Sequence, residues 1–179
     1  MSCLTSYTLK GIRTDCEPNL AGISEVWIGF YGDYKVAIDT GLVSSAATGH
    51  CITGISGETM MHYEFAKQTG SLTSTLTNNE ANGTRYYTNE IVLAFNRMEG
   101  KKHLEIQALG SEKLVAIVHD LNDKYWYVGY DGYLSAAAST SQTGQSYDDN
   151  NGYNITLDAM SAYLPFEMTK ELVDNVKGA

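Results

Sequence analysis

Residues 148–152 read Asp148-Asp149-Asn150-Asn151-Gly152, a run of oxygen-bearing side chains closed by a glycine. Such a run resembles a calcium loop, in which side-chain oxygens surround a hard cation. With Gly152 at the sharp-turn position, Tyr147 falls at the first ligand, where an aspartate is needed, and Asp158 replaces the closing glutamate. The run therefore reads as a polar hairpin turn. His119-Asp120 and the pair His62 and Glu64 offer acid–base chemistry. Neither comes with a nucleophile motif such as Gly-x-Ser-x-Gly. The turns Gly54-Ile55-Ser56-Gly57 and Gly129-Tyr130-Asp131-Gly132 lack the spacing of a phosphate-binding loop. Tyr125, Trp126, Tyr127, Tyr130 and Tyr133 crowd together in sequence. They suit either a sugar-stacking platform or cross-strand pairs in a sheet or interface. The residues call for no catalysis, no cofactor and no metal.

Cys3, Cys16 and Cys51 are odd in number and irregular in spacing, which argues against a disulfide framework. No Cys-x-x-Cys occurs, and none of the four histidines stands at a zinc spacing from a cysteine. The three read as free thiols, wholly or partly buried. The opening residues lack a basic start followed by an apolar run, so a signal peptide is not expected. No apolar stretch approaches the length of a membrane span. Synthesis in a cytoplasm is expected. Against that background the sequons Asn82-Gly83-Thr84 and Asn154-Ile155-Thr156 carry no weight.

The 179 residues suit one domain, and 43% hydrophobic content allows a real core. Only 18% are charged, while Tyr numbers 13 and Gly 17. That balance favours half-exposed strands joined by polar turns. Twelve Lys and Arg against 21 Asp and Glu give a net charge of -9. A chain this acidic is poorly suited to gripping nucleic acid, though it suits a surface that DNA must pass without sticking.

Residues 1–22 are turn-rich and read as an N-terminal arm. Residues 24–30 predict a strand, 31–33 a turn and 34–39 the returning strand of a hairpin. Residues 40–49 read as a loop, 52–55 as a short strand, and 60–67 as a strand placing Met61, Tyr63 and Phe65 on one face. Residues 69–84 are rich in Thr and Asn and nearly uncharged, with Asn82-Gly83 a type I′ turn signal. This stretch predicts a long hairpin arm or loop, followed by a strand over 85–97. A helix is expected over 101–109, with Gly110 as its C-cap and an apolar stripe against a sheet. Residues 114–118 and 124–130 predict an antiparallel pair. Residues 134–146 read as an extended or mobile loop, 153–157 as a strand, and 163–166 as the end of the sheet. Residues 169–176 fit a helix or an edge strand. The sum is about eight strands and one or two helices: a mainly β, antiparallel sandwich or open barrel with a short flanking helix.

The order of these features resembles a known family. Gly22-Ile23-x-x-Val26-Trp27-Ile28 opens the first expected hairpin, and the Thr- and Asn-rich arm ends at Asn82-Gly83-Thr84. A short helix and the strand pair 114–120 and 125–129 follow. Thr143-Gly144-x-x-x-Asp148 then precedes Asn151-Gly152-Tyr153-Asn154-Ile155-Thr156-Leu157. This is similar to tail structural proteins of tailed phages infecting Bacteroidota, the crAss-like group among them, and in layout to the phage tail-tube family. The resemblance spans most of residues 20–165 and rests on turn and strand patterns.

The resemblance implies a virion tail-tube or tail-ring subunit made in the host cytoplasm. It implies homo-oligomeric rings, usually hexamers, joined to neighbouring tail proteins around a channel through which DNA passes without specific binding. Residues 69–84 would form an inter-ring arm, with Gly70, Leu72, Leu76, Asn79, Asn82 and Gly83 as interface candidates. Residues 23–166 would form the body, and 1–22 and 167–179 would make further contacts. Glu58, Glu64 and Glu90 are the candidates for the channel surface. The alternative is a carbohydrate-binding sandwich or fibre module built on Tyr125, Trp126 and Tyr127.

Overall fold

The structure, a computed structural model, describes residues 11–12, 18–39, 50–65 and 68–178. The expected loop at 40–49, most of the N-terminal arm, Cys3 and Cys16 lie outside the described residues. Among the described residues eleven strands and two helices form two open sheets and no closed barrel. The strands are β1 (Ile23–Phe30), β2 (Tyr34–Asp39), β3 (Cys51–Gly57), β4 (Met61–Tyr63), β5 (Ser71–Asn79), β6 (Thr84–Asn96), β7 (Leu114–Asp120), β8 (Tyr125–Val128), β9 (Ser135–Gln142), β10 (Gly152–Ser161) and β11 (Phe166–Met168). Helix α1 (Gly100–Ser111) follows β6, and α2 (Lys170–Asp174) follows β11. The large sheet runs β2-β3-β11-β8-β7-β1-β4, and the small sheet runs β5-β6-β10-β9.

Strand β7 shows why the large sheet is buried on both faces. Leu114 to Val118 are all buried. Leu114, Ala116 and Val118 join one core with Ile91, Leu93, Ile155 and Leu157 of the small sheet. Val115 and Ile117 join a second core with Trp27, Tyr127, Phe166 and Val173. A continuous apolar run on a period-2 strand can bury both faces only if each meets a layer. In β1, Ile23 and Val26 share the first core although three residues apart. A register shift between Ile23 and Glu25 resets the alternation there.

The predicted hairpin of β1 and β2 does not form. Strand β1 pairs with β7 and β4, and β2 pairs with β3. The two lie five positions apart in the sheet order. A flat sheet would separate them by about 24 Å at ~4.8 Å per strand. The three residues linking them reach at most about 14 Å. The large sheet must therefore curl around the second core. Consistent with this, the Tyr34 ring of β2 lies over Gly29 of β1, where a Cβ would stand.

Other expectations change too. Strand β4 spans only three residues, ending before Glu64. Residues 135–142, read as a loop, form strand β9 against β10; small polar residues suffice because β10 supplies the ladder. The sheet does not end at Phe166, because β11 sits between β3 and β8. Its single ladder pair with β3 is parallel, so the large sheet is mixed rather than purely antiparallel. Gly110 lies inside α1, and the C-cap is Glu112, whose N–H bonds the Ala108 carbonyl. The helix buries Leu109 and packs Ile106 on the first core, while Leu104 stays 69% exposed. Residues 170–174 take the helical option, with Val173 in the second core. The antiparallel pair β7 and β8 forms as predicted.

Candidate functional site

The small sheet carries the surfaces of interest. Strands β5 and β6 pair without a break from Ser71↔Val92 to Asn79↔Thr84. Strand β10 follows β6 only as far as Ser161↔Tyr87. The hairpin therefore overhangs the sheet by its last three residue pairs. The connection holds four residues, 80–83, not two. Asn82 keeps a negative φ, so the type I′ turn is not made. Gly83 takes φ 66°, and the Asn79 carboxamide oxygen accepts from the Ala81 and Asn82 N–H groups.

The interface candidates divide accordingly. Asn79, Asn82 and Gly83 build the turn, and Leu76 is exposed on the hairpin. Leu72 packs on the first core. Gly70 precedes β5 and is buried, with Ile23 and the Phe65 ring where its Cβ would be. Those two belong to the body rather than to an arm. The channel candidates are not brought together. Glu90 lies on β6, whereas Glu58 follows β3 and Glu64 follows β4, both outside strands.

Residues Ile91, Leu93, Ile155 and Leu157 face the core. By alternation Thr73, Thr75, Thr88, Glu90, Thr156 and Asp158 share the outer face. The sequence reading missed Asp158 because it was read as a calcium-loop position. No Lys or Arg of the four strands points to this face; the one cation, Arg85, shares the parity of Tyr87 and Ile91. Strands β5 and β9 end the sheet. Neither contains a charge or a proline, and no strand among the described residues pairs with their outer edges.

The aromatic cluster does not make one platform. Tyr125 and Tyr127 are buried in the second core, and burial is the first cause raising both phenols above their ordinary pKa. Trp126 points to the other face and donates from Nε1 to Asp120 Oδ2 at 3.0 Å. There it lines a groove of about 580 Å³ between the sheets, beside the free edge of β5. The apolar wall is Leu20, Ile23, Leu72, Trp126, Leu164 and Pro165. Most of its polar groups are engaged within the chain. Asp120 accepts from the Asn122 and Lys124 N–H groups, Asn122 binds Leu20, and His50 Nε2 donates to the Leu164 carbonyl.

His119 lies between Ser24 Oγ and Asp123 Oδ1, each at 3.0 Å, and stacks on Tyr125 with ring centroids 4.3 Å apart. Ser24 also donates to the His119 carbonyl, which ties β1 to β7. Neither Ser24 nor His119 lines the groove. In the 148–152 run, Asp149 Oδ2 accepts from the Gln145 and Ser146 N–H groups. Those bonds hold its carboxyl below the usual range. Among the described residues no cluster of His, Cys, Asp or Glu is placed to hold a metal ion. Among them, too, no helix is long and apolar enough to cross a membrane. Comparison with known protein families, curated proteins and solved structures finds no match for this chain.

Proposed function

We propose that this chain is a structural ring subunit that closes head to tail through β9 and β5 around a channel for DNA. Such a subunit is a tail-tube or tail-ring protein of a tailed phage, in keeping with the sequence resemblance. The carrying observation is that both edges of one four-stranded sheet lack charge, proline and a strand partner among the described residues, with α1 packed beside β9. An unprotected edge is a template for pairing with another chain, and soluble monomers commonly blunt it with charge or proline.

Strand polarity favours closure. Each neighbour in β5-β6-β10-β9 is antiparallel, so β5 and β9 run in opposite directions. Rotating one copy onto the next, with strand direction kept, brings β9 against the next β5 in antiparallel register. That contact is heterologous, and repeating it closes a ring when its rotation is a whole fraction of a turn. Six copies would supply about two dozen strands, with a circumference of about 115 Å at ~4.8 Å per strand. Side chains then leave an opening on the order of 25 Å, wider than duplex DNA at roughly 20 Å. The outer face of the small sheet would line it. Threonines and the carboxylates Glu90 and Asp158, without a cation, offer phosphates nothing to bind. The glycan-binding reading finds less support, because Tyr125 and Tyr127 are buried away from Trp126.

The test is negative-stain electron microscopy of the concentrated protein, with solution mass measured in parallel. Rings or tubes with a central opening wide enough for duplex DNA are expected. A strict monomer at every concentration would overturn the assignment.

A further inference from the structure

Tyr127 is only 2% exposed, yet its hydroxyl has no hydrogen-bond partner among the described residues. A buried phenol ordinarily finds one, as Tyr153 does by donating to the Glu99 carbonyl. Tyr127 instead lines a cavity of about 450 Å³. Three more tyrosines, Tyr31, Tyr34 and Tyr130, line the same cavity, and their hydroxyls also have no partner among the described residues. The curl of the large sheet creates this space. Tyr34 lies on β2, Val115 on β7 and Tyr127 on β8, although β2 stands four positions from β7 in the sheet order. All three belong to the second core, so the cavity opens off the inside of the curl. The mouth of a rolled sheet is a common place for a ligand. The walls are fixed by the backbone. The Tyr31 N–H donates to the Lys113 carbonyl at 2.8 Å, and the Asp33 N–H to the Phe30 carbonyl at 3.3 Å. Asp131, also in the lining, accepts from Ser161 Oγ and the Ala162 N–H.

We propose that this cavity binds a small neutral saccharide. Among the described residues no Lys, Arg or His lines it, so a phosphate or carboxylate on the ligand would meet no counter-charge. A wholly apolar ligand would leave the Tyr127 hydroxyl out of water and unbonded, which is unfavourable. An organic cation would be drawn to aromatic faces, but both Asp131 oxygens already accept within the chain and a quaternary ammonium gives the phenols no hydrogen bond. A sugar satisfies both demands. Its hydroxyls pair with the phenols, and its C–H faces lie against aromatic and apolar walls. Burial is the first cause raising the Tyr34 and Tyr127 pKa values, so both phenols stay protonated and can donate at neutral pH. The run Tyr125-Trp126-Tyr127 supplies no platform here; Tyr127 alone takes part, through its hydroxyl at the cavity. The site belongs to the large sheet and does not depend on the proposed ring.

Saturation-transfer NMR on the full chain tests this with the methyl glycosides of glucose, galactose, mannose and N-acetylglucosamine at millimolar concentrations. Choline and glucose 6-phosphate serve as cationic and anionic comparators. At least one neutral glycoside should bind, and neither comparator should bind as well. Tyr127→Phe removes one hydroxyl and keeps the ring, so it should weaken that binding about fivefold, the loss of one hydrogen bond. It should leave thermal melting unchanged, because the hydroxyl bonds nothing within the chain. Tyr31→Ala, at an exposed site on the turn, should weaken binding as well while the fold persists. Binding of none of the four glycosides, or tighter binding of choline, would overturn the proposal. So would glycoside binding that Tyr127→Phe and Tyr31→Ala leave untouched, since the sugar would then sit elsewhere.

Discussion

Asp158 stands directly opposite Glu90 across the β6–β10 ladder, with both carboxylates on the outer face of the small sheet. Like charges directly opposed on adjacent strands destabilise a sheet. An isolated subunit gains nothing from this pairing.

Glu90→Gln should accordingly stabilise the monomer by about 0.5 kcal/mol. The gain should shrink as salt is added, because Glu90 is exposed and screened. Urea unfolding at low and high ionic strength measures it. A loss of stability, or a gain indifferent to salt, would show that the carboxylates do not repel.

A lysine on each edge, Thr75→Lys with Ser139→Lys, should abolish ring formation while the fold persists. Both sites are exposed, and such changes typically move stability by no more than about 0.5 kcal/mol. Sedimentation and circular dichroism separate the two effects. Rings from the doubly substituted protein would sink the edge-pairing scheme.

Removing the hairpin tip separates edge from arm. Deleting the whole of 70–83 would strip out Leu72 and with it part of the core. Replacing 77–86 by a two-residue Asn-Gly turn removes only the overhang. Rings should still close, and stacking of ring on ring should fail. Stacked tubes from this variant would release the tip from an inter-ring role.

The tyrosines set an alkaline limit. Tyr63 is pushed up to about 12, first by burial and then by the charge and hydrogen bond of Glu105. Burial drives Tyr127 higher still. The folded state thus favours the neutral phenols more than the unfolded chain does. That stabilisation is complete below the ordinary phenol value near 10 and is lost as pH rises through the folded values. Absorbance titration should show some tyrosines ionising only as the fold melts. Glu105→Gln should lower the Tyr63 value part of the way toward 10, because burial remains. Uniform ionisation near pH 10 in the native protein would contradict this.

Acid acts on the turn that bears Tyr147. Asp149 has a lowered carboxyl pKa, so its contribution is present above the ordinary carboxylate range and is lost as pH falls through the folded value. The protection factors for amide exchange at Gln145 and Ser146, taken against the intrinsic rate at each pH, should be high at neutral pH and fall with acid. Asp149→Asn should lower them already at neutral pH. Equal exchange in both proteins would mean that the carboxylate does not hold the turn.

Much of the body was legible because it depends on local pattern. The run at Leu114 to Val118 and the aromatic strand over 124–130 could be read directly as a strand pair, although the turn expected over 119–123 is shorter because β7 runs on to Asp120. The partner of β2 could not. The turn residues 31–33 signal a hairpin, and only the curl of the whole sheet sends β2 to β3. Strand β9 was missed because Ser, Ala and Thr show no apolar alternation. A strand at the rim of a sheet needs none when its neighbour supplies the burial. On the outer face of the small sheet the sequence pointed only to Glu90. Glu58 and Glu64 sit on residues whose strands end early, and Asp158 needed the register to be seen.

Strand β11 has a consequence for how the molecule comes into being. It is the last strand of the sequence, yet it lies between β3 and β8. While residues up to 165 are being synthesised, the large sheet can exist only as two fragments, β2-β3 and β8-β7-β1-β4. Three residues, Phe166–Met168, then bridge them, pairing Glu167 with Cys51 on one side and Trp126 on the other. Contacts this distant in sequence form slowly. The nascent chain thus has no complete second core to fold around, and its final folding step waits until those three residues have left the ribosome.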